Sequence, residues 1–192
     1  MIKIDHAELS FGSNRVLIDC SIEITTGESI ALVGPSGSGK SSLLKVLASE
    51  YLLLGGSLQY NSKNVSTLSS KELKKLRCQI GYIPQDLALV PNLKVSQNIL
   101  LGKVGSQNLL QTLRDQLSPS SSKLESVLSI LREVGIPEKL FHRTDSLSGG
   151  QQQRVAIARA LYQQASLILA DEPVSSVDPS RANSLLHCLT SL

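Results

Sequence analysis

Residues 34–41 read Gly-Pro-Ser-Gly-Ser-Gly-Lys-Ser, with an apolar run (Ile30, Ala31, Leu32, Val33) before them and a helix-like run (Ser42, Leu43, Leu44, Val46, Leu47) after. Every fixed position of the pattern G-x-x-x-x-G-K-[ST] is filled. The chemistry such a stretch offers is the cradling of phosphates. Gly34, Gly37 and Gly39 let the backbone turn tightly and aim N–H groups at phosphate oxygens, and the N-terminus of the following helix adds partial positive charge. Lys40 is suited to the β- and γ-phosphates of a nucleotide and the Ser41 hydroxyl to Mg²⁺, with Pro35, Ser36, Ser38 and Ser42 completing the loop.

Four further places carry residues able to take part. Asp171 and Glu172 follow the apolar run Leu167-Ile168-Leu169-Ala170 and precede Pro173. Adjacent carboxylates at a strand end suit one to Mg²⁺ and the other to an attacking water; taken alone they also read as a solvated turn. Ser148-Gly149-Gly150-Gln151 opens a helix-like run, either a second anion-binding helix N-terminus or an ordinary cap. Gln85 stands where the strand-like run Gln79–Ile83 gives way to a loop at Pro84. Phe11, in the turn Ser10-Phe11-Gly12, is either a surface aromatic or a core one.

These residues need elements to position them. Alternation at Ile2 and Ile4, a second run (Val16 to Ile18, then Ile22 and Ile24) and a Thr26-Gly27 turn predict a small antiparallel sheet leading into a strand over Ile30–Val33 and then the phosphate loop. A short strand over Leu58–Tyr60 and a solvated helix over Ser70–Arg77 follow, the latter carrying Glu72, Lys74, Lys75 and Arg77. From about residue 87 to 144 leucines recur at helical spacing, punctuated by Pro91, Pro119 and Pro137, which predicts a mostly helical insert. Leu167–Ala170 reads as a buried strand, and Ala182–Leu192 as a helix with His187 half-buried on it.

Composition narrows the class. A sequence of 192 residues with 41% hydrophobic content can bury a core as one compact unit or as two lobes. It contains no apolar run of about eighteen residues and opens with strand alternation rather than a signal-peptide pattern, so the expectation is a cytosolic protein or one held at a membrane through a partner. A net charge of +3, no Trp and only four Tyr and two Phe give no argument for nucleic acid. Cys20, Cys78 and Cys188 lack zinc or disulfide spacing and read as small, partly buried residues.

In order along the sequence, GPSGSGKS, Gln85, LSGGQ (147–151), SLILADEP (166–173) and Ser175-Ser176-Val177-Asp178 resemble the ATP-binding subunit of an ABC transporter. The resemblance covers nearly the whole length. It implies an α/β fold: a P-loop NTPase core of ABC type (1–86 and 152–192) with an N-terminal antiparallel β subdomain and a helical, signature-bearing subdomain (87–151). It further implies ATP and Mg²⁺ as cofactors. Lys40, Gln85 and Glu172 would serve catalysis, with Glu172 activating water; Ser41, Gln85 and Asp171 would hold the metal; Phe11 and Val16 would lie at the adenine. Ser148, Gly149, Gly150 and Gln151 would contact the nucleotide of the other subunit in a head-to-tail homodimer.

The surface segments LVPNLKVSQNILLGKVGS and FHRTDSLSGGQQQRVAIARAL look most like phosphonate importer ATPases. The implied setting is the cytoplasmic face of the inner membrane, on permease subunits and, indirectly, a periplasmic solute-binding protein. Another importer, a lipoprotein- or antibiotic-type exporter, or a nucleotide-binding subunit with little turnover would share these motifs. The family also places a γ-phosphate-contacting histidine on a further strand, beyond Leu192. The resemblance therefore implies either truncation at the C-terminus relative to the family, with a weakened central sheet and weakened turnover, or a sheet that closes differently.

Overall fold

The structure, a computed structural model, describes residues 1–173. The expectations for Ser175–Asp178, His187, Cys188 and the helix over Ala182–Leu192 lie outside them. Two compact units divide the protein, Met1–Arg77 and Cys78–Leu192.

In the first unit, β1 (Ile2–Phe11) and β2 (Asn14–Ile24) form the expected antiparallel hairpin. Next come α1 (Lys40–Leu47), β3 (Gly55–Tyr60), β4 (Lys63–Asn64) and α2 (Ser70–Cys78), giving the sheet order β2-β1-β3-β4. Ile4 is buried before an irregularity in β1 and Ala7 and Leu9 after it, together with Leu17 of β2 and Leu58 of β3. The register shift between Ile4 and Ala7, where His6 takes φ 47°, resets the period-two phase so that both halves of the strand face the same core. Helix α1 buries Leu43, Leu44, Val46 and Leu47. The Tyr60 hydroxyl of β3 donates to the Leu47 carbonyl at its end, and burial pushes that phenol's pKa up. Helix α2 buries no side chain, as its run of charges predicts.

The strand expected over Ile30–Val33 does not form. These residues have no ladder partner among the described residues, and Val33 is 94% exposed and Ile30 42%. A strand is stable only when its N–H and C=O groups pair with a neighbour, so apolar composition alone does not make one.

The second unit is built on the parallel pair β5 (Ile80–Ile83) and β6 (Leu167–Ala170), in register Ile80↔Leu167 through Ile83↔Ala170. A parallel pair requires a long crossover. Here it is helical: α3 (Val95–Leu100), a 3₁₀ turn at Leu101–Ser106, α4 (Leu109–Leu117), α5 (Ser121–Glu133) and α6 (Gly149–Gln163). Four consecutive residues of α6, Val155 to Ala158, are at most 1% exposed, the pattern of a helix surrounded by protein. Ile83, Val95, Ile99, Val127 and Leu131 share its core.

Polar side chains of α6 tie the helix to its surroundings. Arg154 donates to the Val134 carbonyl just past α5, and Gln163 donates to the carbonyls of Cys78 and Ile80. The leucines of α4 behave differently: the spacing gives the expected helix, yet Leu109, Leu110, Leu113 and Leu117 are 49–84% exposed. Cys20 and Cys78 are half-buried free thiols. No helix among the described residues is long and apolar enough to cross a membrane.

Candidate functional site

The phosphate loop lies in the first unit, directly ahead of α1. Gly37 and Gly39 both have positive φ (80° and 92°), and Gly39 is the left-handed N-cap of the helix. A Cβ at Gly39 would lie 3.0 Å from the Val16 carbonyl oxygen, so glycine is required for its φ and for the close approach of β2. Val16, expected at the nucleotide base, is thereby placed against the loop. Lys40 Nζ donates to the carbonyls of Gly34 and Pro35, both at 2.9 Å, and folds the loop around its ammonium. Pro35, Ser36, Ser38 and Ser41 frame the loop, and all four are exposed. Ser42 follows on α1.

Phe11 is 49% exposed, which decides between its two readings in favour of a surface aromatic. It packs edge-on against Tyr51, with ring centroids 5.2 Å apart. Tyr51 was not singled out by sequence reasoning. Its signal is faint, an aromatic a few residues past a helix end, and forty positions separate the two rings in the sequence.

In the second unit, β5 and β6 end together. The Asp171 N–H donates to the Ile83 carbonyl at 2.9 Å and extends the ladder by one residue, so Pro84-Gln85 and Asp171-Glu172 leave the same edge. Loops at the carboxyl ends of parallel strands are where α/β folds collect reactive groups. Asp171 is buried and Glu172 exposed. Gln85 Nε2 donates to Glu172 Oε2 at 3.2 Å. Glu172 has φ 52°, a left-handed conformation costly for a residue with a Cβ, and Gln153 of α6 donates to its carbonyl at 3.4 Å.

Ser148 and Gln151 form a reciprocal cap on α6. The Ser148 hydroxyl accepts from the Gln151 N–H, and Gln151 Oε1 accepts from the Ser148 N–H at 3.1 Å. Gln152 donates to the carbonyls of Thr144 and Leu147. The three consecutive glutamines thus serve a cap, the preceding turn and the Glu172 backbone. Sequence reasoning noticed only the first, because a run of identical residues carries no directional signal.

The donors expected for Mg²⁺ are a hydroxyl, an amide and a carboxylate, all oxygen, which suits a hard cation that keeps waters and phosphate oxygens as its other ligands. Among the described residues no cluster of three His, Cys, Asp or Glu offers an all-protein metal cage.

The family model described as ABC transporter matches residues 17–175. The phosphonates import ATP-binding protein PhnC of Anaeromyxobacter dehalogenans is 44% identical over 173 residues, 90% of this chain and 34% of that protein. PhnC of Lactococcus lactis subsp. lactis is 38% identical over 97% of this chain and 75% of its own length. The chain therefore spans from about a third to three quarters of these relatives. Among solved structures, the dimeric bacterial ABC transporter cassette MJ0796 aligns with TM-score 0.84 and 29% identity over 98% of this chain and 81% of that one. The same cassette in a post-hydrolysis state with ADP and Pi gives 0.83 and 30%, with the same coverage. With the phosphate loop, the paired strand ends and the capped helix N-terminus in family order, the chain belongs to the ABC transporter family of ATP-binding subunits and is similar to phosphonate importer ATPases.

Proposed function

We propose that this protein binds Mg-ATP and hydrolyses it to energise an ABC importer whose cargo is phosphonates or related phosphorus anions. The observation that carries the catalytic part is the Gln85–Glu172 contact at the shared end of β5 and β6. Phosphoryl transfer to water asks a protein mainly for positioning and charge stabilisation. Glu172 takes the proton of the attacking water, and Gln85 orients that carboxylate. Lys40 neutralises charge on the β- and γ-phosphates, and the N–H groups around Gly37 and Gly39 hold the phosphate oxygens. Phe11 and Val16 meet the adenine. Mg²⁺, held by Ser41, Gln85 and Asp171, would screen phosphate charge.

In this reading Ser148, Gly149, Gly150 and Gln151 face the nucleotide of a second copy, so ATP closes a homodimer and hydrolysis releases it. The dimer works on permease subunits at the cytoplasmic face of the inner membrane, and a periplasmic solute-binding protein delivers cargo to those permease subunits, so that it is only an indirect partner of the dimer. The exposed leucines of α4 support a membrane-subunit partner, since a contiguous apolar patch on a surface marks an interaction site. The phosphonate cargo is supported by the names of the relatives.

The test combines nucleotide binding with phosphate release. The parent protein should bind Mg-ATP and turn it over, Lys40→Ala should lose binding, and Glu172→Gln should bind ATP and accumulate as a dimer. Equal ATP affinity in Lys40→Ala, or parental turnover in Glu172→Gln, overturns the assignment of that residue. Phosphonate-dependent growth restored by this protein in cells lacking their own importer ATPase tests the cargo.

A further inference from the structure

The loop that carries Gln85 is bent in an unusual way. Pro84 to Ala88 closes a turn in which the Leu87 N–H donates to the Pro84 carbonyl at 2.9 Å and the Ala88 N–H to Asp86 Oδ1 at 3.2 Å. Leu87 and Ala88 both lie in the left-handed region, with φ 61° and 43°. Two successive residues with a Cβ in this conformation are sterically disfavoured and persist only where surrounding structure holds them.

What holds them is Arg159. Its Nη1 donates to the Ala88 carbonyl at 2.6 Å and its Nη2 to the Leu87 carbonyl at 2.7 Å, so one planar fork grips both strained residues. Arg159 projects from α6, the helix that Ser148 caps, eleven residues on from that cap. Its own backbone is fixed from another side: a Cβ on Gly102 would stand 2.5 Å from the Arg159 carbonyl oxygen, so the 3₁₀ turn at Leu101–Ser106 is seated directly on the helix at this residue. The guanidinium is half-buried; burial works against its charge and Asp86 partly offsets that cost.

We infer that Arg159 is a positioning residue that latches the Gln85 loop to α6, so that Gln85 meets Glu172 only while the loop stays in register with the helix carrying Ser148. The functional side of the inference rests on the ATPase reading above. Its structural side does not.

The test uses amide hydrogen exchange and steady-state turnover on the 192-residue protein. In Arg159→Gln, exchange at Leu87 and Ala88 should rise about tenfold or more, while the amides of β5 keep their protection. Turnover should fall about tenfold to a hundredfold with the KM for ATP little changed, because the catalytic constellation is misplaced while the phosphate loop is intact. Glycine tolerates positive φ, so Leu87→Gly with Ala88→Gly in the Arg159→Gln background should recover most of the lost turnover. A residue that merely stabilises the core would lose melting temperature and gain nothing from those glycines. Arg159→Lys, which keeps charge and stem without the fork, should be intermediate in both measurements, and it stands in if the glutamine variant does not fold. Unchanged loop exchange in either variant overturns the latch, and so does failure of the glycines to restore turnover. If the parent shows no turnover, the ATPase reading fails, and exchange alone decides the latch.

Discussion

Gln85 Nε2 and Glu172 Oε2 are 3.2 Å apart although 87 residues separate them in the sequence. The distance follows from the in-register parallel pairing of β5 with β6, which delivers both residues to one edge. If Gln85 acts by orienting the Glu172 carboxylate, the two substitutions should not add. Glu172→Gln removes the proposed base and should lower turnover by about 10² to 10⁴. Gln85→Ala should cost less, and the double variant should be no slower than Glu172→Gln alone. Single-turnover rates for the four proteins give the coupling; additive losses would mean that Gln85 acts on something other than Glu172.

Buried polar groups in the helical part provide a stability test. Asn98 is fully buried; its Oδ1 accepts from the Val90 N–H, and its Nδ2 donates to the Val90 carbonyl and, at 2.8 Å, to Thr144 Oγ1. Thr144 Oγ1 in turn donates to the Leu93 carbonyl at 3.0 Å. Asn98→Ala leaves several of these groups without partners and should cost about 2 to 4 kcal/mol. Thr144→Val should cost less, and the pair should be sub-additive in urea denaturation because they share one hydrogen bond.

How much of this was legible in the sequence depends on what each residue's signal encodes. The phosphate loop, the hairpin and the two parallel strands were legible because spacing and apolar runs specify them locally. Ile30–Val33 misled for the same reason: an apolar run states a preference for burial, while a strand needs a partner that the run does not encode. The leucines of α4 gave the helix correctly, but periodicity does not say what covers the apolar face. Tyr51, Asn98, Gln153 and Arg159 were invisible, since each acts on a carbonyl, hydroxyl or ring brought near only by the fold. Arg159 reads in sequence as one more basic residue on a helix, and its meaning appears only with the backbone of Leu87 and Ala88.

The bulged part of the β1–β2 hairpin predicts a small pH dependence. His6 Nδ1 lies 2.5 Å from Asp19 Oδ1, with both residues at positive φ and both side chains well exposed. The hydrogen bond to Asp19, then the charges of Asp19 and Asp5, raise the His6 pKa above its ordinary value. A histidine whose pKa is raised by folding contributes stability that is fully present below the unfolded value, about 6.5, and is lost as pH rises through the folded value. The melting temperature should therefore fall slightly from about pH 6 to pH 8, and Asp19→Asn should remove that part of the slope. A slope unchanged in Asp19→Asn would show that the pair contributes nothing.

Ser148 has two roles to separate, since its hydroxyl caps its own helix and, in the proposed dimer, faces the partner's nucleotide. The capping role is local: the hydroxyl accepts from the Gln151 N–H while Gln151 returns a bond to the Ser148 N–H. Ser148→Ala should cost about 1 kcal/mol of stability, whereas Ser148→Gly, a tolerated cap, should cost only a few tenths. The dimer role should ignore that difference, because both substitutions remove the hydroxyl. ATP-driven dimerisation, measured by light scattering in a Glu172→Gln background, should weaken equally in the two variants, with ATP affinity of the monomer unchanged. If dimerisation instead follows stability, strong in the glycine variant and weak in the alanine one, the hydroxyl serves only the helix. A loss of monomer affinity in both would place Ser148 at the nucleotide of its own subunit.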